Sequence, residues 1–398
     1  MRIDSVDFFY ASMPEVTLEA DGSQDALLVR VRAGDHEGWG ECESSPLTSI
    51  AAFVTPRSHG VCRPVSDSVI GERLDAPADI DRIARLVARN SMDLLQAAHT
   101  FSGIEIALWD LLGRAKEEPV WRLLGARTAH PKLPYASVLF GDTPEITLAR
   151  GREAVARGFR AVKFGWGPFG TGTVQADADQ LHAARESLGA ERELLVDAGQ
   201  VWEFDVEAAA ARLPALESVR ALWLEEPFGA AEYDAYAALA ARSPMVRLAG
   251  GEGAHEEAMA RNLIRHAGVG FVQIDTGRVG GISPSARVAA FAAKSGVTFV
   301  NHTFTSHLAL SASLQAYAGM ADHVVCEYPA EPKQLAVDIT TSHLLPDAEG
   351  LIHVPDAPGL GIDVDLAGIA PYLRSVSITV DGESLYSSPQ SDSAALSS

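Results

Sequence analysis

Short apolar runs recur through the central two-thirds of the chain, and each carries one ionisable residue inside it or at its end. The runs are AVKFGW, ELLVDAG, ALWLEEP, VRLAGGE, FVQIDT, TFVNHT and HVVCEY, and the residues are Lys163, Asp197, Glu225, Glu252, Asp275, His302 and Glu327. Successive spacings along this series are 34, 28, 27, 23, 27 and 25 residues, each enough for a strand, a loop, a helix and a return. A closed ring of parallel strands satisfies this pattern. In such a (β/α) barrel the C-terminal strand ends converge on one mouth, where residues remote in sequence meet around a ligand. Seven ionisable groups in register are not a packing pattern, because burial of a charge is tolerated only where something pairs with it.

The 398 residues exceed one barrel of ordinary size, so a second domain is expected. Residues 1 to about 62 read as strands and turns, with alternation in LLVRVRA marking a half-buried strand. From about 78 to 125 the period becomes helical in ADIDRIARLVARN and GIEIALWDLLGRA. These signals divide the chain into an N-terminal α+β domain (1–128), a barrel (129–350) and an extended segment (351–380). The last part (381–398) is poor in bulky apolar groups and is expected to be disordered. Within the barrel, LPYASVLF (133–140) is the expected first strand. TPEITLARGREAVARG and SPSARVAAFAAKSG are expected helices, and DVEAAAARLPALES is a helix interrupted near Pro214.

The net charge of −21 disfavours nucleic acid or an anionic membrane as partner, since both need a positive face. An anionic small substrate stays open, because a bound divalent cation with local Lys or Arg can invert the field inside one pocket. Cys42, Cys62 and Cys326 are scattered and form no metal-type pair. No stretch is long and apolar enough to span a bilayer, and MRIDSVDFFY lacks the layout of a signal peptide, so a cytoplasmic protein is expected.

Asp197, Glu225 and Glu252, on three successive strand ends, offer the hard anionic oxygens that Mg²⁺ prefers. Zinc would more often draw on His or Cys, and these three positions have neither. Glu226 adjoins Glu225, and strand alternation sends one of the two inward without saying which. Asp275 and His302 fall on consecutive strands at similar depth. A carboxylate that accepts from one ring nitrogen fixes the tautomer and leaves the other nitrogen free to take a proton.

The order of Lys, Asp, Glu, Glu, Asp, His and Glu on strands two to eight resembles the mandelate racemase subgroup of the enolase superfamily. The resemblance extends over nearly the whole chain, through GWGECESSPL, GIEIALWDLLGRAKEEPVWRLLG, GFRAVKFG, LLVDAG, WLEEP, GGEG, QIDTGRVGG, NHTF and PGLGI. It implies an α/β fold in which a capping α+β domain, completed by the C-terminal segment, covers a (β/α)7β barrel. It also implies Mg²⁺ on Asp197, Glu225 and Glu252 and abstraction of the proton next to a substrate carboxylate, with Glu327 donating or sharing a proton and Lys163 lending charge.

Departures from the family pattern narrow the expectation. The racemase carries K-x-K on strand two, and this chain has Lys163-Phe164-Gly165, without the second lysine. The muconate lactonizing group carries a lysine pair on strand six, where this chain has Asp275-Thr276-Gly277-Arg278. Arg278 is a candidate anion contact. Arg57 and His59 in TPRSHGVCRP are candidates in the cap for the far end of a polar substrate, together with Ser44 and Ser45. The reaction expected is Mg²⁺-dependent dehydration of an acid sugar, an aldonate or aldarate, to a 2-keto-3-deoxy acid with His302 as base. A racemase or epimerase is the alternative, and a non-catalytic sugar-acid-binding protein is a third reading. A homo-oligomer is expected.

Overall fold

The computed structural model describes residues 1–17, 23–43 and 46–389. Ser44 and Ser45 lie outside the described residues. Strands β1 (Ser5–Ala11), β2 (Ala26–Ala33) and β3 (His36–Glu43) form an antiparallel meander. Eight parallel strands follow: β4 (Leu133–Leu139), β5 (Ala161–Gly165), β6 (Glu193–Asp197), β7 (Ala221–Glu225), β8 (Arg247–Gly250), β9 (Phe271–Ile274), β10 (Thr298–Asn301) and β11 (Val325–Tyr328). They pair in the order β10-β9-β8-β7-β6-β5-β4-β11. The chain then returns to the first sheet, where β12 (Leu373–Arg374) pairs with β1. The fold is therefore mixed α/β, a nearly closed parallel barrel beside an antiparallel sheet domain.

Side-chain alternation explains why the strands place charge at one end. Tyr135, Ala161, Leu195, Trp223, Ala249, Phe271, Val300 and Val325 form a packed layer of their own inside the barrel. Two residues further on, the same inward face carries Lys163, Asp197, Glu225, His302 and Glu327. An apolar plug thus seals the floor, and the ionisable layer rests on it. Outside the strands, a larger apolar cluster joins them to the surrounding helices.

Among the described residues no backbone ladder joins β10 to β11, and side chains close the ring there. The Asn301 amide donates to the Glu327 carbonyl (3.1 Å) and accepts from the Glu327 N–H (3.1 Å), as a peptide group would. Tyr317 donates to Asn301 Oδ1 (2.9 Å), and the Phe299 N–H donates to His323 Nδ1 (2.7 Å).

The cap is fastened through the helix Ala97–Lys116, which is buried along most of its length. Its Glu105 carboxylate, fully buried, accepts from the N–H groups of Ile282 (2.6 Å) and Ser283 (2.9 Å), from Trp109 Nε1 (2.9 Å) and from the Ser283 hydroxyl. Ile282 and Ser283 begin the helix Ile282–Lys294 of the barrel, so one cap carboxylate satisfies the orphan donors of a barrel helix. Asp110, one turn further along, accepts from the N–H groups of Trp39 (2.9 Å) and Leu360 (2.8 Å), tying the PGLGI segment to the cap.

Two local expectations are corrected. Residues 1–62 contain a helix, Pro46–Val54, with Pro46 in its first turn and Ile50 and Phe53 buried three residues apart. Within the segment from 381, Glu383–Ser387 form the strand β14, which makes a hairpin with β13 (Ser377–Val380). Tyr386 secures it by donating to the Phe8 carbonyl (3.0 Å) and packing on the cap core. A few apolar residues suffice there because an existing core supplies the surface they cover. Among the described residues no helix is long and apolar enough to cross a membrane.

Candidate active site

Strand register brings the acids together. Gly165 is the ladder partner of Asp197, and Asp197 is the partner of Glu225. Glu252, Asp275 and His302 lie just past the ends of β8, β9 and β10, and Glu327 is in β11. A cavity of about 220 Å³ opens over this layer, and Lys163, Asp197, Glu252, His302 and Glu327 face it. Glu225 and Asp275 stand behind that surface, with Glu225 fully buried.

Lys163 is the electrostatic centre of one half. Its ammonium lies 2.7 Å from Glu225, 3.1 Å from Glu327 and 3.5 Å from Asp197. Burial acts to lower its pKa, but Glu225 and Glu327 outweigh that, and the lysine is held protonated well above its ordinary range. His302 is the centre of the other half. Its Nδ1 meets Asp275 at 3.0 Å, and its Nε2 meets Glu252 at 3.0 Å and Glu327 at 3.9 Å. Burial opposes its protonation, and Glu252, Glu327 and Asp275 together raise it well above the normal imidazole range. The Thr303 N–H donates to Glu327 Oε2 (2.8 Å), and Trp223 Nε1 to Glu225 Oε2 (3.0 Å).

Both residues of the Glu225-Glu226 pair are buried. Glu226 escapes strand alternation because its backbone is left-handed (φ +39°). Its Oε2 accepts from Gln200 (2.9 Å), while its Oε1 has no hydrogen-bond partner among the described residues. Burial raises its pKa far above the carboxylate range, with Glu252 adding to the effect.

The donor set tests the fit of a divalent cation. Asp197, Glu225, Glu226, Glu252, Asp275 and Glu327 share the mouth with two permanent cations, Lys163 and Arg278, and one histidine. Against the protein's own charges alone, burial raises Asp197 and pushes Glu225 up to about 8. This excess of crowded anionic oxygen, with an orphaned carboxylate oxygen beside it, suits a hard divalent ion. As placed, the side chains turn to Lys163 and His302, and among the described residues no three of them already form a ligating cluster.

The remaining candidates divide. Arg278 is drawn in, 3.7 Å from Glu252 and 3.8 Å from Asp275, but it pairs with these acids and does not line the cavity. Arg57 and His59 are not brought to the mouth. Both are exposed, Arg57 bonded to Asp67 (2.9 Å) and His59 to Asp93 (2.8 Å). The cap reaches the cavity instead through Met13, Gln24, Asp25 and Glu41, and the loop after β11 reaches it through Glu331 and Lys333. Sequence reasoning missed these and the aromatic wall of Trp166, Phe304 and Tyr328. The cue for Glu41 was an acid inside the strand GWGEC. It is buried and accepts from the Ser306 hydroxyl.

Comparison with known proteins agrees with this arrangement. Residues 147–368 match the family model described as enolase C-terminal domain-like, and residues 12–125 match the mandelate racemase / muconate lactonizing enzyme N-terminal domain. The chain is 29% identical over 357 residues to the D-galactarolactone cycloisomerase of Agrobacterium fabrum, covering 85% of this chain and 89% of that protein. It is 29% identical over 337 residues to the D-galactonate dehydratase of Variovorax paradoxus, with 79% and 86% covered. The crystal structure of a predicted mandelate racemase from Rhodobacter sphaeroides is 62% identical, with a TM-score of 0.95, over 98% of this chain and 100% of that one.

Proposed function

The chain belongs to the mandelate racemase subgroup of the enolase superfamily, and from that premise we propose that it is an acid-sugar dehydratase. The observation that carries this reading is asymmetry: one histidine–carboxylate dyad faces the cavity, and the strand-two position that would hold a second base is Gly165. Relatives at similar identity include a cycloisomerase as well as dehydratases, so the choice rests on the residues of this chain.

Asp197, Glu225 and Glu252 would hold Mg²⁺, which would supply the positive charge that lowers the barrier to removing a very weakly acidic proton. Lys163 adds a fixed cation for the substrate carboxylate. Asp275 fixes His302 through Nδ1, so Nε2 takes the proton from carbon two of an aldonate or aldarate. The C2–H electron pair forms the C2–C3 double bond as hydroxide leaves carbon three. His302 Nε2 returns its proton to that hydroxyl, releasing water. Glu327, fixed by Lys163 and the Thr303 N–H, faces the second carboxylate oxygen. The enol then tautomerises to the 2-keto-3-deoxy acid. The reading extends to a small-molecule carboxylate as sole partner in a cytoplasmic homo-oligomer.

The test is to incubate the protein and Mg²⁺ with a library of aldonates and aldarates and assay 2-keto acid. Formation from one configuration at carbon two, lost in His302→Asn, is expected. Appearance of the carbon-two epimer in place of keto acid would move the assignment to an epimerase.

A further inference from the structure

Trp166, like Glu226, has a left-handed backbone at the mouth, and of the two it is Trp166 that lines the cavity. Its φ of +56° is left-handed, which for a bulky side chain is a genuine outlier. Its indole is 41% exposed and lines the cavity, whereas the other five tryptophans, 39, 109, 121, 202 and 223, are buried. Hydrophobic burial does not account for holding an exposed aromatic in an unfavourable backbone conformation.

The surroundings are shaped to keep it there. The indole lies over Gly199, where a Cβ would fall 3.0 Å from two ring atoms, so any side chain at 199 would displace it. Gly199 donates its N–H to Asp197 Oδ1 (2.8 Å), which ties the support of the indole to a proposed metal ligand. Past Trp166, Gly167 is also left-handed, and Phe169 is buried, stacked on Phe140 with ring centroids 4.9 Å apart. Trp166 therefore stands on an anchored turn and not on a lid.

Its position fits one task. On β5 the residue that would carry a second base is Gly165, and the next side chain to enter the cavity is Trp166. His302 enters the same cavity from β10, three strands away around the ring. We infer that Trp166 contacts the substrate on the face remote from His302, packing on its C–H surface and closing that face to proton transfer. This rests on the acid-sugar reading and deepens it: the preferred substrates present an apolar C–H face to the indole and their carbon-two proton to His302.

The test uses full-length protein saturated with Mg²⁺, with D-galactonate and galactarate as probes. Calorimetry scores binding, and tryptophan emission and acrylamide quenching score contact. Probe binding is expected to alter the emission and to protect the accessible tryptophan at least several-fold in the wild type and His302→Asn, and to do neither in Trp166→Phe. Trp166→Ala is expected to raise KM roughly tenfold or more with a smaller change in kcat, and Trp166→Phe to recover most of the KM, as a retained aromatic wall requires. Calorimetric binding with unchanged wild-type emission, or an emission change that persists in Trp166→Phe, overturns the inference while leaving the dehydratase reading intact. Absence of binding for both probes and for every other member of the aldonate and aldarate library removes the acid-sugar reading and this inference with it. Keto acid formation that survives in His302→Asn removes the proton-transfer reading alone.

Discussion

Glu105 offers a quantitative test of how the cap is held on the barrel. Burial pushes its pKa from 4.5 up to about 7, although Ser283, Ile282 and Trp109 all donate to it and pull the other way. A carboxyl whose folded pKa exceeds its unfolded pKa binds its proton more tightly when folded. Its contribution is therefore fully present below pH 4.5 and is lost as pH rises through about 7. The interval corresponds to a fall of about 3 kcal/mol at about 1.36 kcal/mol per unit. For a chain of this length that is roughly 3–4 °C in Tm, from an unfolding entropy of about 2.1 cal/mol/K per residue. Glu105→Gln keeps the shape but does not titrate. It costs stability at every pH, because an amide NH2 replaces one acceptor among four donors. The telling quantity is the wild type minus Glu105→Gln difference, followed by chemical and thermal denaturation from pH 4.5 to 8 at constant metal. The wild type should lose about 2–3 kcal/mol relative to the variant across that range. A flat difference would show that the donors keep Glu105 ionised throughout, and a difference that grows with pH would refute the reasoning outright.

Other outcomes follow from the same geometry. Chelation should abolish turnover and Mg²⁺ restore it, while Glu252→Ala stays folded by circular dichroism and inactive; full activity in metal-free Glu252→Ala would contradict the ligand assignment. Asp275→Asn should lower kcat by about 10²- to 10⁴-fold with little change in KM, because the amide still accepts from the Gly277 N–H but no longer supports a charged imidazole. An unchanged kcat would remove the dyad. A Cβ at Gly165 would sit 2.8 Å from Asp197 Cβ, so Gly165→Ala should shift Asp197 and raise the Mg²⁺ concentration for half-activity about 10- to 100-fold, read by metal titration of turnover. A normal metal titration curve would show that Asp197 has room to spare.

The ladder of ionisable residues was legible because a barrel repeats one unit, and inward alternation turns sequence spacing into spatial coincidence. Lys163, Asp197, Glu225, His302 and Glu327 follow this alternation and share one layer, while Glu252 and Asp275 lie just past the ends of their strands beside it. Arg57 and His59 were chosen for charge and proximity in the cap, but exposed cations find local acids, here Asp67 and Asp93. The left-handed backbones of Glu226 and Trp166 break the strand alternation that the reading relied on, so the burial of both glutamates and the aim of the indole could not be derived. Glu105 was visible only as a charge on an apolar helix, because its barrel donors, Ile282 and Ser283, lie 177 and 178 residues away.

The gap between β10 and β11 makes one dimension of the catalytic apparatus heritable by point mutation. Elsewhere around the ring, neighbouring strands are spaced by peptide groups, which every sequence supplies alike. At this one joint the spacing depends on the Asn301 side chain and its tether to Tyr317. The joint falls between the strands that carry His302 and Glu327. Exchanging one amide there for a longer or shorter side chain re-spaces these two residues and leaves every ladder intact. A lineage adapting to a new substrate thus has a mechanical adjustment already built in, at the place where the proposed base and acid are set relative to each other.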